Sequence, residues 1–319
     1  MEEAMIRAID MHAHLLNQDY LRLLSAHDAL TLDGFPLPAF DEERAIAFMD
    51  ANGIERQLLS LSSPHLHFGN DDESAEFCAR FNDWTAEVCG RHPARFAFCA
   101  VVPLPDVAAS VGEASRAMRE LGATGVKVPS NACGVYLGDP RLDPLFEEVD
   151  RAGGIVVIHP NRPEPMNEGV FTAGPVPLYE FLADTTRAVL NLIAHDVPLR
   201  YPGVRIVVPH TGSFLPNVIS RIEGAQPILE SAGMMGHVDV RANLAKLYFD
   251  LAGNPVPDLL PLLASVVDAS HIMYGSDYPF TNERIAGSLL ATLREFLSRG
   301  ERFAADAEAI LRTNALGLL

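Results

Sequence analysis

Histidines and one aspartate occur where four runs of apolar residues end. His12 and His14 follow the first run, His159 ends "IVVIH", His210 follows "IVVP", and Asp277 follows "MYGS". Two imidazoles two residues apart on an extended segment point the same way. Imidazole and carboxylate together are typical ligands of a divalent transition metal and leave a position for water or substrate. We therefore predict that they form one site, although each histidine alone could be only a hydrogen-bonded core residue.

Eight short β-branched runs alternate with longer segments of helical spacing. The candidate strands are residues 7–10, 57–61, 96–102, 125–128, 155–158, 204–208, 246–250 and 271–274. This alternation predicts an α/β fold with a parallel sheet, and eight units predict a (β/α)₈ TIM barrel. The alternative is an open doubly wound sheet. That fold favours a Gly-x-Gly-x-x-Gly turn after the first strand, where this chain has Met-His-Ala-His.

In a barrel the active site lies at the C-terminal ends of the strands, where the histidines and Asp277 fall. Pro160 directly follows His159, and proline ends a strand because it cannot donate a ladder hydrogen bond. A long insertion, residues 15–39, separates the first strand from its helix; long loops often act as lids. Helix starts are predicted at the acidic segments 41–43 and 105–106. Helix ends are predicted at Gly53, Gly122 and Gly153.

Composition limits the classes of partner. The 319 residues carry a net charge of −18 and are 48% hydrophobic, with no composition shift along the chain. We expect a single domain spanning 1–319, with no nucleic-acid or membrane partner, because the negative field repels polyanions and no apolar run could span a bilayer. The acidic N-terminus does not resemble a secretory signal, and the four cysteines show no Cys-x-x-Cys spacing. A cytoplasmic location is the expectation.

Several stretches together resemble one branch of the amidohydrolase superfamily. They are "IDMHAHLL", "HFGN", "FNDWTAEVCGRHPARFAFCAVVPLPD", "YLGDPRLDPLFEEVDRAGGIVVIHP", "VVPHTGSFLPNVISRIEG" and "MYGSDYPF". The branch contains aminocarboxymuconate-semialdehyde, 6-methylsalicylate and γ-resorcylate decarboxylases, and the resemblance covers nearly the whole chain.

The resemblance implies one divalent metal ion, zinc or alternatively manganese, held by His12, His14, His159 and Asp277. It implies that the residue matching His210 acts as acid or base beside the metal. It also implies a homodimer, in which Arg221 reaches into the neighbouring protomer's site and holds a substrate carboxylate.

Two departures bear on the substrate. Where many relatives have His-Gly-Gly, this chain has His210-Thr211-Gly212-Ser213, which leaves less room for a close approach. No arginine occurs in residues 33–40, the loop in which the semialdehyde decarboxylase carries a second carboxylate clamp. The expected substrate is therefore a small monocarboxylic aromatic acid, or an enoic one.

A metal site of this kind supports two reactions. The first is nonoxidative decarboxylation, in which a proton reaches the ring carbon from either His210 or Asp277; the residues do not choose between them. The second is hydrolysis of a lactone or amide, with water as the nucleophile. The family resemblance favours the carboxy-lyase.

Five further residues are candidates for contact with the substrate. Arg162 is an alternative partner for the carboxylate, since arginine binds carboxylates through two hydrogen bonds. His65 and His67 repeat the spacing of two after the second strand, and Phe214 lies among the phenylalanines expected to form an apolar wall. Lys127, at the end of the fourth strand, is expected to be buried in an ion pair or a substrate contact, with a metal-bridging role as the alternative.

Overall fold

The computed structural model describes residues 5–167, 169–299 and 302–319. Eight parallel strands form one sheet in the order β1 to β8. They are β1 (Ala8–His14), β2 (Ile54–Ser60), β3 (Phe96–Val101), β4 (Gly125–Pro129), β5 (Ile155–His159), β6 (Arg205–Val208), β7 (Leu247–Asp250) and β8 (Ile272–Met273). A short antiparallel hairpin, Asn131–Ala132 with Val135–Tyr136, follows β4.

The first and last strands meet and close the sheet. The backbone N–H of Met11 donates to the carbonyl oxygen of Tyr274 at 2.9 Å, and that of His14 donates to Tyr278 at 2.7 Å. In return, the N–H of Asp277 donates to the carbonyl oxygen of His12 at 2.8 Å. The predicted (β/α)₈ barrel is confirmed, and its closing seam carries two of the predicted metal ligands on β1 and one just after β8.

Helices surround the barrel. They are α1 (Gln18–Ala26), α2 (Glu42–Asn52), α3 (Asp71–Arg91), α4 (Val107–Glu120), α5 (Asp143–Ala152), α6 (Glu180–Ala194), α7 (Val197–Arg200), α8 (Leu215–Ser231), α9 (Val240–Leu244), α10 (Leu259–Leu263), α11 (Glu283–Arg299) and α12 (Asn314–Leu316). Short 3₁₀ helices cover Pro140–Leu142, Val176–Leu178, His210–Gly212, Ala269–His271 and Ala304–Asp306, and a short π-helix covers Ala309–Thr313. No helix in the described part of the chain is long and apolar enough to cross a membrane.

The predicted helix signals act as expected. Asp41 and Asp106 cap α2 and α4 by accepting hydrogen bonds from backbone N–H groups, and Gly53 and Gly153 end α2 and α5 in the left-handed conformation. The insertion predicted at residues 15–39 contains helix α1, so only its second part is loop.

The barrel is a packed core, and its strands are buried on both faces. Every residue of β1, β3, β4 and β5 is buried, as expected for parallel strands covered by helices. One apolar cluster fills the barrel interior with side chains from Ile9, Met11, Leu58, Ala97, Cys99, Ile155, Val157, Val207, Met273, Ala315 and Leu318. This layer supports the site from below.

A β-bulge in β1 places the two histidines. Asp10 pairs with Gln57 and Ala13 pairs with Leu59, so three steps along β1 match two along β2. Without the extra residue, Ala13 would continue the inward row of Ile9 and Met11; instead Ala13 packs in the outer core. The bulge therefore turns His12 and His14 towards the mouth of the barrel, a known use of bulges beside active sites.

Candidate metal centre

Three imidazoles converge at the mouth of the barrel. We call His12, His14 and His159 the histidine cluster; one ring nitrogen of each lies within 4.8 Å of those of the others. The two Nε2 atoms of His12 and His14 are 3.0 Å apart. All three rings are at most 4% exposed. The structure thus brings together the three histidines that the sequence predicted as ligands.

Each ring is oriented by an oxygen acceptor at its other nitrogen. Nδ1 of His12 lies 2.8 Å from Oδ2 of Asp250, Nδ1 of His14 lies 3.1 Å from the carbonyl oxygen of Ser60, and Nδ1 of His159 lies 2.8 Å from that of Pro160. A carbonyl oxygen or carboxylate can only accept, so each Nδ1 carries the proton and donates it. In a neutral ring Nε2 is then left with its lone pair, which is the tautomer that a metal ligand needs.

Asp277 adds a carboxylate to the cluster. Its Oδ1 lies 3.1 Å from Nε2 of His14 and 3.6 Å from Nε2 of His12. The backbone of Asp277 has a φ of 59° and is tied to β1 through its N–H. Gly275 permits this approach, since a Cβ there would lie 2.8 Å from Cβ of His12. The fourth predicted ligand therefore lies beside two of the other three, His12 and His14.

The charges of the cluster favour a cation. Burial alone would lower the pKa of His12, but the neighbouring Asp250 and Asp277 raise it to about 9. Burial lowers the pKa of His14 and of His159, and the charge of His12 acts in the same direction on both rings, although Asp277 opposes it at His14. Two carboxylates thus hold a single positive charge among three rings. Three imidazole nitrogens, with a carboxylate oxygen beside two of them, are donors typical of a divalent transition metal site.

His210 lies beside the cluster. Its ring centroid is 5.0 Å from that of His12, and one of its ring nitrogens lies within 4.8 Å of ligand atoms of His12 and Asp277. Its Nδ1 has no hydrogen-bond partner among the described residues, although the atom is buried. Burial and the charge of His12 lower the pKa of His210 to about 4, so the ring is neutral near pH 7. A neutral imidazole with an unpaired nitrogen is suited to exchange a proton with a ligand.

The loop that carries His210 is unusual in backbone conformation. His210, Thr211, Gly212 and Ser213 all have positive φ, between 54° and 73°. Ser213, with φ 55° and ψ −128°, adopts a conformation that glycine favours. Positive φ in non-glycine residues costs about 1–3 kcal/mol each and tends to occur at functional sites. The departure from His-Gly-Gly in the sequence thus stores backbone strain beside the cluster.

Replacing Ser213 by glycine should release part of this strain. We expect Ser213→Gly to stabilise the fold by about 1 kcal/mol and to raise the melting temperature by about 2 °C in thermal unfolding. Ser288→Gly, at an exposed position inside α11, is the control and should lower the melting temperature, because glycine destabilises a helix. A lower melting temperature for Ser213→Gly would contradict the assignment of strain.

A cavity of about 410 Å³ opens onto the cluster. His159, His210 and Asp277 form its floor, and Phe35 and Phe280 are among the apolar side chains of its walls. Its volume is typical of a site for a small molecule. No lysine or arginine lines it within residues 5–167, 169–299 and 302–319.

The structure does not bring the predicted substrate contacts Arg221, Arg162, His65, His67 and Phe214 to the cavity lining. Arg221 is exposed on α8, and Arg162 donates from Nη1 to the carbonyl oxygen of Leu32 at 3.1 Å. His65 contacts the carbonyl oxygen of Leu104 through Nε2 at 2.7 Å.

The other two predicted substrate contacts, His67 and Phe214, also have their partners outside the cavity lining. Nε2 of His67 lies 2.7 Å from Oδ1 of Asp71, and Phe214 packs against Tyr179 with ring centroids 5.7 Å apart. Their roles towards substrate remain predictions.

Lys127 is buried, as expected, but behind the cavity wall. Its Nζ donates to the carbonyl oxygen of Ser62 at 3.1 Å, and the side chain is among those that do not line the cavity. Burial lowers the pKa of Lys127 to about 7, against the opposing influence of Cys78 and Asp33. The hydrogen bond that Lys127 makes is thus with a backbone carbonyl oxygen, where an ion pair or a substrate contact was expected.

Two buried aspartates were missed by the sequence reasoning. Asp250 orients His12 through Oδ2, while its Oδ1 accepts from the backbone N–H of His210 at 3.1 Å and of Ala252 at 3.0 Å. Asp10 joins β1 to β8 by accepting from the N–H and Oγ of Ser276. Asp250 had a detectable signal, since it ends the candidate strand 246–250 at the same edge as the histidines.

Comparison with known proteins decides the family. The family model described as amidohydrolase matches residues 9–319. The chain belongs to the amidohydrolase family. This amidohydrolase is 27% identical to a decarboxylase of Aspergillus niger, over 97% of this chain and 86% of the relative. It is also 29% identical to the 6-methylsalicylic acid decarboxylase of Penicillium expansum, over 71% of each chain. The family resemblance predicted from the sequence is confirmed.

A solved structure of the same type contains a metal. The 5-carboxyvanillate decarboxylase of Novosphingobium aromaticivorans, solved with manganese and 4-hydroxy-3-methoxy-5-nitrobenzoic acid, superposes on this amidohydrolase with a TM-score of 0.86. The two are 25% identical, over 98% of this chain and 95% of the other. All three of these proteins are decarboxylases, that is, carboxy-lyases.

Proposed function

We propose that this amidohydrolase is a metal-dependent nonoxidative decarboxylase of a small aromatic or enoic carboxylic acid, similar to 6-methylsalicylate. The observation that carries the proposal is the histidine cluster with Asp277 at the floor of a largely apolar cavity. Two relatives named as decarboxylases of aromatic acids support the reaction type.

His12, His14, His159 and Asp277 would hold one divalent ion. When bound, such an ion attracts the substrate carboxylate and an ortho hydroxyl and stabilises the negative charge that develops as the carbon–carbon bond breaks. The manganese in the 5-carboxyvanillate decarboxylase favours Mn²⁺, while the nitrogen-rich donor set equally suits Zn²⁺.

The cavity walls orient the ring and exclude water. Phe35, Leu37, Phe181 and Phe280 line the space above the cluster. Their apolar surfaces fit the faces of a flat ring and keep the local dielectric low, which strengthens every charge interaction in the site.

The reaction needs one proton on the ring carbon that carries the carboxylate. When that carbon–carbon bond breaks, carbon dioxide leaves and the bond's electron pair becomes the new C–H bond. We assign the transfer to His210, whose neutral ring can take up one proton from the acid of the solvent and pass it to the ring carbon. Asp277 is the alternative donor. The pKa of its carboxyl is raised by burial, but the hydrogen bond with His14 and the charge of His12 outweigh this and leave it below its usual value.

The substrate carboxylate would also meet Arg221 of a second protomer in a homodimer. The cavity offers no cationic side chain from its own described residues, and Arg221 is exposed on α8, where a second chain can reach it. Arginine fits a carboxylate with two parallel hydrogen bonds.

Mixing two inactive variants tests this sharing of residues. We expect Arg221→Ala and His210→Ala each to lose most activity as pure proteins. In a hybrid dimer one site regains both residues, so unfolding and refolding an equal mixture should restore about a quarter of wild-type turnover. No recovery, with hybrid dimers shown to be present, would contradict the role of Arg221 across the interface.

Release of carbon dioxide tests the reaction itself. Purified protein loaded with Mn²⁺ or Zn²⁺ should release carbon dioxide from at least one of salicylate, 6-methylsalicylate and the dihydroxybenzoates, and a chelator should abolish this. Hydrolysis of a lactone or amide panel, with no carbon dioxide from any acid, would replace the proposal by a hydrolase.

A further inference from the structure

One wall of the cavity is polar and lies outside the histidine cluster. It consists of Asp33, from the loop between α1 and α2, and Ser62 and Ser63, from the loop after β2. Oγ of Ser63 donates to Oδ2 of Asp33 at 2.8 Å. Oδ1 of Asp33 is buried and has no hydrogen-bond partner in the described part of the chain.

This wall is held firmly in place. The carbonyl oxygen of Asp33 accepts from the N–H of Val176 at 3.0 Å, and that of Leu32 accepts from Nη1 of Arg162 at 3.1 Å. On the other side, Nζ of Lys127 donates to the carbonyl oxygen of Ser62. Contacts on both sides mean that the carboxylate is positioned before any ligand arrives, which reduces the entropy lost on binding.

An unpaired buried acceptor is costly, and this one is built into a binding cavity. Asp33 is only 7% exposed, so the bulk solvent that would otherwise pair with Oδ1 is largely excluded. Buried polar atoms in folded proteins nearly always have a partner, and an exception needs an explanation, such as a functional role or a bound water or ion. A ligand that donates a hydrogen bond here therefore gains more than the same group gains in water.

The chemistry of the wall selects among ring substituents. A carboxylate accepts hydrogen bonds and repels other acceptors, and two serine hydroxyls beside it extend the polar surface. Burial raises the pKa of Asp33, while the hydrogen bond from Ser63 and the charges of Arg162 and Lys127 act to lower it.

We propose that Asp33 is a specificity-determining residue that accepts a hydrogen bond from a second ring substituent, a phenolic hydroxyl or an amino group, while the acid group of the same ring lies at the histidine cluster. This inference rests on the proposed function and narrows its substrate to aromatic acids that carry a remote hydrogen-bond donor.

The test compares hydroxyl with methoxy at each ring position. Binding of 2-nitrophenol, and of its hydroxylated and methoxylated derivatives, is measured by calorimetry on the metal-loaded protein; these probes have no carboxylate to lose. We expect that at one ring position the hydroxyl compound binds wild type at least about tenfold more tightly than its methoxy counterpart, because only the hydroxyl can donate to Asp33.

Asp33→Asn should reduce this preference to less than about threefold, since the amide can donate to a methoxy oxygen. Asp28→Asn is the matched control: it removes an exposed charge from the same loop outside the cavity, and asparagine tolerates its φ of 53°. It should keep the wild-type preference.

Three outcomes would overturn the inference. They are equal binding of hydroxyl and methoxy probes to wild type at every position, an unchanged preference in Asp33→Asn, and no binding of any probe. The comparison of hydroxyl and methoxy probes on the wild-type protein remains a valid test even if Asp33→Asn does not fold. Carbon dioxide release is measured separately. A preference for the hydroxyl probe without any decarboxylation would therefore contradict the proposed reaction but support the role of Asp33.

Discussion

His210→Ala should abolish turnover and leave the metal in place. General acid or base residues contribute about 10²–10⁴-fold to the rate, and we expect a loss in this range in the decarboxylation rate. The three rings of the histidine cluster converge without help from His210, and Asp277 lies beside two of them; Nδ1 of His210 has no partner among the described residues. Metal content after dialysis, measured by elemental analysis, should therefore match wild type.

His237→Ala is the control for this variant. His237 is exposed, contacts Glu230 at 3.0 Å and does not line the cavity, so turnover should be unchanged. If His210→Ala retained most of its activity with normal metal content, His210 would not be the proton-transfer residue. Asp277 would then be the remaining candidate.

Asp250→Asn should weaken metal binding by about 10- to 100-fold, the usual effect of removing the carboxylate behind a ligating histidine. Both oxygens of Asp250 accept, one from Nδ1 of His12 and the other from the N–H groups of His210 and Ala252. An amide has only one acceptor oxygen. Asparagine must therefore either face those N–H groups with its own N–H, or donate to Nδ1 and force the proton of His12 onto Nε2.

Competition with a coloured chelator measures the expected loss of affinity. Asp258→Asn, an exposed position that does not line the cavity and makes no side-chain cap for α10, removes the same charge and should bind metal as wild type does. Wild-type affinity in Asp250→Asn would show that Asp250 does not set the tautomer of His12.

The ends of the strands could be predicted from the sequence because a strand that is buried on both faces is a continuous run of apolar residues. The run "IVVIH" ends in His159 and the segment around Asp277 follows the last strand, so both could be assigned to one edge of the barrel. The residue types at that edge suggested the proposed ligand set. The directions of Arg162 and His67 could not be predicted in the same way, because both lie on loops, where no periodicity reports direction.

The partners of the histidines also escaped prediction. Asp250 ends a predicted strand, but which histidine it contacts depends on the stagger between strands, and no local pattern encodes that. The same holds for Asp33, which reaches Ser63 across 30 positions of sequence. Helix α1 within the insertion was missed because its nine residues, Gln18–Ala26, are fewer than the roughly 11–18 residues over which helical periodicity is read.

The extra residue in β1 divides the strand into a part that packs the barrel interior and a part that carries the histidines. Below it, Ile9 and Met11 fill the interior layer; above it, the alternation of faces has moved by one, so His12 and His14 point to the mouth. Substitutions at Ile9 or Met11 can consequently change the packing of the interior layer without changing the direction of His12 and His14. If the full-length strand paired as an uninterrupted pleat, Ala13 would instead turn inward and both imidazoles would turn out of the site, so the direction of the two ligands depends on the bulge.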